Sequence, residues 1–149
     1  MTMHKDYPDH HDAELVLTLY DLRREPVMRA SRKAMLNDFW PTSWEDVVAI
    51  SKLDHHLNAA YRQVSTYWEM AFNMARHGIV QPDYLAEHGG EGFWLYAKVL
   101  PWVGQIRETS PRAFLNVQWM VEHSDTARGM FEGIKSRVGK MLADRQAAR

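Results

Sequence analysis

The chain contains no cysteine. That excludes disulfides, cysteine-ligated zinc, iron–sulfur clusters and thiol catalysis together. A formal net charge of -1 at pH 7 provides no global field toward nucleic acid or an anionic membrane. Long apolar runs are missing too. The most apolar stretch, residues 93–106, is interrupted by Lys98, Pro101 and Gln105 and is too short to cross a bilayer. The first dozen residues are polar and lack the apolar segment of a secretory signal, so no membrane span and a cytoplasmic location are expected. No stretch alternates apolar and polar with a period of two, no hairpin dipeptide of the Asn-Gly kind occurs, and there is no internal repeat.

What is present is helical periodicity. At 149 residues with 46% hydrophobic content, the chain can bury roughly 70% of its unfolded surface in one core. Residues 1–11 read as a flexible leader and 12–149 as a single helical domain. Leu15, Leu19 and Leu22 predict a helix to about Arg24, and Pro26 suits the first turn of a second, with Val27, Ala30, Ala34 and either Leu36 or Met35 inward. Thr42 and Glu45 have the spacing of a capping box. Over 54–77, Leu57, Tyr61, Val64, Trp68, Ala71 and Ala75 recur at three and four. Tyr67, Met70, Phe72 and Met74 widen that stripe almost all round, which predicts a central helix sheathed by neighbours. Gly78-Ile79 reads as a Schellman stop folding back on Met74. A helix over 91–108 should kink near Pro101, and Ser110-Pro111 should open another. Ser124 or Asp125 caps the last. The fold class is all-α, a helical bundle of five or six helices around a long central one.

Chemistry is harder to find. The eight histidines include His4, His10-His11 and His55-His56, yet no Glu-x-x-His or His-x-x-x-His places two ligands on one helix face. No metal site is expected. Gly89-Gly90-Glu91-Gly92 lacks the Lys-Ser/Thr sequel of a phosphate loop, and no Gly-x-Ser-x-Gly elbow exists. No catalytic residue is assigned and no cofactor is expected. The polar stripe Arg62, Thr66, Glu69, Asn73 and Arg76 along the central helix has two readings. It is either a solvent-facing strip with local bonds such as Glu69 to Asn73, or a network in which Glu69 meets Arg23, Arg29 or Arg107. Six tryptophans are many for this size; at helical spacing they read mainly as core, with any excess available to line an interface. Trp102 is the candidate exposed aromatic, and Gly129 with Gly133 would allow close helix approach within the chain or between copies. The basic stretches Arg23–Lys33 and Arg128–Arg149 read as solvated helix faces.

Three stretches share a further character: Leu19-Tyr20-Asp21-Leu22-Arg23-Arg24 with Pro26 to Arg32, Tyr67 to Ala71 with His77 to Val80, and Trp94 to Lys98 with Leu100-Pro101-Trp102 and Ile106-Arg107. Together, over about residues 13–125, they resemble a bacterial family of small helical domains of unknown function. The resemblance implies an α-helical domain without established activity or cofactor. Many members of that family carry a membrane-spanning helix ahead of the domain, which these residues lack. Glu69 and Arg107 are the polar positions it marks.

Three functional expectations follow. The first is a non-enzymatic interaction or regulatory module, binding a protein partner or itself. The second is a small-ligand binder or enzyme with a polar pocket around Glu69. The third is weak nucleic-acid binding through the basic helix faces, which the charge balance makes the least favoured.

Overall fold

The computed structural model describes residues 5–149, and every regular element among them is helical. Helix α1 (His10–Arg24) and helix α2 (Pro26–Asn37) form a hairpin through Glu25. The Glu25 carboxylate accepts from the Val27 and Met28 amides at 3.0 and 2.9 Å, and Pro26 takes the first helical position, where its missing N–H is no loss. Helix α1 begins two residues ahead of the expected start because Asp9 accepts from the His11 and Asp12 amides. His4 lies outside the described residues. Along this hairpin Leu22 and Val27 face outward and Met28 and Met35 are buried: Met35 takes the inner position it shared with Leu36 as an expectation, while at the front of α2 the inner face is Met28 rather than Val27.

Helix α3 (Trp44–Ile50) is capped by Ser43, whose hydroxyl accepts from the Asp46 amide at 3.2 Å while Asp46 accepts from Thr42 N–H at 2.9 Å. The capping box therefore sits one residue beyond Thr42/Glu45. The expected rod over 54–77 is shorter at its front. Residues 51–57 are turns, in which Leu57 N–H donates to His55 Nδ1 at 3.1 Å and the Asn58 side chain donates to Ile50 O at 2.7 Å. Helix α4 then runs Asn58–Arg76 and ends as the glycine predicts. Gly78 adopts φ 77, its N–H donates to Ala75 O, and Ile79 N–H reaches Met74 O at 2.8 Å. Val80, fully buried, closes that end; Ile79 is exposed.

Helix α5 (Pro82–Ala86) leads to α6 (Gly90–Val99). Pro101 then does more than bend the chain: a 3-10 turn at Leu100–Trp102 separates α6 from α7 (Val103–Thr109). Helices α8 (Leu115–His123) and α9 (Asp125–Ala147) complete the order. Helix α4 packs against α2, α5, α6 and α8, and α9 lies on α6, α8 and α5, so α4 is a central rod with four helices around it and α9 laid over three of them. At its heart Trp68, Phe72 and Phe93 stack in series. A Cβ on Gly92 would lie 2.6 Å from Phe72, and one on Gly89 2.8 Å. The glycine-rich segment is there to let α6 approach these rings.

One buried cation is unforeseen. Lys98 on α6 is fully buried, and its Nζ donates to Met35 O, Leu36 O and Phe39 O at 2.6, 3.3 and 2.8 Å. It lies 3.8 Å from the Trp40 ring, which Arg145 of α9 also approaches at 4.5 Å. The last carbonyls of α2 are thus capped from another helix, by the charge sign that its dipole favours.

Candidate functional site

Helix α8 starts without a capping side chain of its own. Its N-cap position is Phe114, in the left-handed region at φ 59, and Ser110-Pro111 upstream stays in a turn. The orphan amides of α8 are met from α4 instead. Glu69 Oε2 accepts from Asn116 N–H at 2.8 Å, and Oε1 from Val117 N–H at 3.2 Å. Asn116 answers with its side-chain amide, donating to Glu69 O at 3.2 Å. Its Oδ1 receives Asn73 Nδ2 at 3.4 Å and Arg76 at 3.3 Å. From the other side Arg107 on α7 donates to Ala113 O at 2.9 Å and Phe114 O at 3.2 Å. Burial pushes the Glu69 carboxyl above the usual carboxylate range, against the two amide bonds and the nearby Arg107 charge that hold it down.

The expected site residues divide accordingly. Glu69, Asn73 and Arg76 converge on Asn116, and Arg107 holds the adjoining turn; neither Arg23 nor Arg29 takes part. Arg62 stands apart, donating to Asn58 Oδ1 at 2.9 Å. Arg23 lies over the Tyr20 and Trp68 rings, and Arg32 pairs with Glu91. Trp102 is half-buried rather than exposed. Gly129 and Gly133 face open space, so no helix of this chain uses them for close approach. The side chains that sequence reasoning missed are Asn116 and Lys98. Neither belongs to a local pattern; each acts on a partner dozens of residues away.

Beside Glu69 a cleft of about 480 Å³ opens between α3, α4, α7 and the turn before α8. Trp44, Val47, Val48, Tyr61, Ile106 and Phe114 give it apolar walls. Most of its hydroxyls are turned back on their own helices. Ser51 donates to Val48 O, Ser65 and Thr66 to Arg62 O, and Thr109 to Ile106 O. A hydroxyl that has given its proton to a carbonyl three or four residues back presents the cleft with acceptor lone pairs and carbon surface but no donor. Burial keeps the Tyr61 phenol protonated, its pKa pushed up to about 12. Each Glu69 oxygen accepts one backbone amide of α8, which ties the carboxylate to that helix. Among the described residues no three His, Asp or Glu side chains lie close enough to share a metal ion, and no helix is long and apolar enough to cross a membrane.

Fold and cleft together define an all-helical domain with an apolar cavity beside a half-buried polar clamp. The chain belongs to a family described as a domain of unknown function, DUF4760, which it matches over residues 8–124. No curated protein and no solved structure matches it. The family match ends at Ser124, the residue whose hydroxyl caps α9 at Ala127 N–H.

Proposed function

We propose that this domain is a non-enzymatic binding module that takes the apolar body of a small molecule into the cleft between α3, α4 and α7. The observation that supports this is the cleft's chemistry. A volume of about 480 Å³ lies in the range of about 300–1,000 Å³ occupied by small-molecule sites, its walls are apolar, and most of its hydroxyls are spent internally. The short helices that wall it, α3 and α7, dock only lightly on the rest of the bundle, which suits a cavity that must admit a guest. Catalysis is disfavoured because Glu69, the acidic side chain in the cleft, is committed to α8.

The test is a screen of small apolar fragments by amide NMR. Shifts should concentrate at Val47, Val48, Thr66 and Ala113. Ser65→Trp, which fills the cleft from a half-buried position, should abolish them while the circular dichroism and melting temperature stay close to those of the parent. Shifts scattered elsewhere, or unchanged in Ser65→Trp, would refute the reading.

A second reading, self-association, draws on α1. Leu17 and Tyr20 lie three residues apart on one face and are 66% and 54% exposed. Sedimentation of the parent and of Leu17→Lys with Tyr20→Lys would show it as a dimer that the double substitution dissolves.

A further inference from the structure

Granting that the cleft is a binding site, its leftover polar groups say what chemistry its ligand carries. Glu69 has given both oxygens to the amides of Asn116 and Val117. Ser51, Ser65, Thr66 and Thr109 have given their protons to helix carbonyls. Arg112 is on the lining and exposed, and its side chain makes no ion pair or hydrogen bond with any described residue. The hydroxyl of Tyr61 and the indole N–H of Trp44, both on the lining, are likewise without an internal partner. A guanidinium and an indole only donate, and a phenol kept protonated by burial is a ready donor. The donors left free on the lining are therefore Arg112, Tyr61 and Trp44, while the hydroxyls keep only acceptor lone pairs and the one acid already accepts two amides.

We infer that the ligand is an apolar monocarboxylate, its carboxylate held at the mouth by Arg112 and its hydrocarbon or aryl body lying against Val47, Val48, Ile106 and Phe114. The charge order along the cleft fixes that orientation. A carboxylate entering first would meet the half-buried Glu69, whereas one left at the mouth meets an unpaired guanidinium that can take it through two parallel bonds. An ammonium head is disfavoured at both positions. At the mouth it faces Arg112, and inside it finds Glu69 engaged by two amides with the Arg107 charge nearby.

The experiment compares octanoate, octanol and octylammonium by calorimetry and amide NMR on the full chain. Octanoate should bind about tenfold tighter than octanol, the discrimination expected of a hydrogen bond to a charged group, and octylammonium should bind least. Arg112→Gln, at an exposed position that leaves the core untouched, should bring octanoate down to the level of octanol without moving octanol. Equal binding of all three in the cleft, or an octanoate preference that survives Arg112→Gln, would overturn the carboxylate assignment while leaving the apolar binding site standing. If none of the three perturbs the cleft, the binding reading itself fails and this inference with it.

Discussion

Glu69 and Asn116 stand 47 residues apart in the chain, yet the carboxylate of one does for α8 what a capping serine does for most helices. Left-handed Phe114 has no side-chain acceptor to offer. An anion at an N-terminus meets both the orphan amides and the dipole. Glu69→Ala should therefore cost about 1–3 kcal/mol, the penalty for leaving buried donors unpaired. Denaturant unfolding would read the loss, and amide exchange should speed up locally at Asn116 and Val117. Asn73→Ala, at the edge of the same network with one long bond of 3.4 Å, should cost less than half as much.

The pH dependence separates Glu69 from the other capping acids. Its carboxyl is raised by burial above the unfolded value near 4.5, so the folded state holds the proton more tightly than the unfolded chain. The stability linked to that proton is present in full below pH 4.5 and is lost as pH rises through the folded value. Asp46, lowered by the Thr42 amide, and Asp83, lowered by the Ser124 hydroxyl, have the opposite sign: their stabilisation is present above the unfolded carboxylate range and is lost on acidification. Glu69→Gln removes the opposing contribution. Its stability should then fall more steeply than the parent's as the pH drops from neutrality toward the unfolded value near 4.5, as measured by urea midpoints across that range. A parallel profile would show that Glu69 titrates as an ordinary acid.

Lys98 is the counterpart at a C-terminus. Burial, reinforced by Arg145, pushes its ammonium down to about 7 from an ordinary 10.5. Between those values the unfolded chain holds a proton that the folded chain has released, so stability rises with pH from about 7 to 10.5 and is lost as pH falls through 7. Lys98→Met leaves Met35 O, Leu36 O and Phe39 O without their donor. It should cost about 1–3 kcal/mol at neutral pH, and it should flatten that alkaline rise. Chemical unfolding at pH 7 and pH 9.5 checks both halves.

What the sequence shows well is whatever a helix writes into its own few residues. Gly78 announces its left-handed stop, Pro26 its first turn, and the Trp68/Ala71/Ala75 rows their buried face. Where the reading slipped, a bond from outside the local window had taken over. The front of α4 gives way to turns because Asn58 is drawn to Ile50 O. Ser110-Pro111 fails to open α8 because the cap comes from Glu69. Lys98 lies in a stretch that reads as apolar apart from it, and only the fold brings the end of α2 to its ammonium. The Glu69 stripe was visible as a pattern, but its target was not, since Asn116 sits in an unremarkable run of α8.

The glycines offer a paired prediction, because two of the same residue type inside helices should respond with opposite signs. Gly92→Ala would set a Cβ 2.6 Å from Phe72 Cε2 and 3.0 Å from Trp68 Cγ, both in stacked, fully packed rings with no space to yield. Overpacking of this kind costs about 1–3 kcal/mol. Gly133→Ala meets nothing within 4 Å, lies in the interior of α9, and removes only the excess freedom of the unfolded glycine, so it should gain up to about 1 kcal/mol. Thermal melts of the two variants at one protein concentration should move in opposite directions. The Gly133 result also bears on assembly. If copies of this chain meet through the Gly129/Gly133 face, the added methyl would hold them apart, and the variant would show a smaller sedimenting mass together with a lower rather than a higher melting temperature.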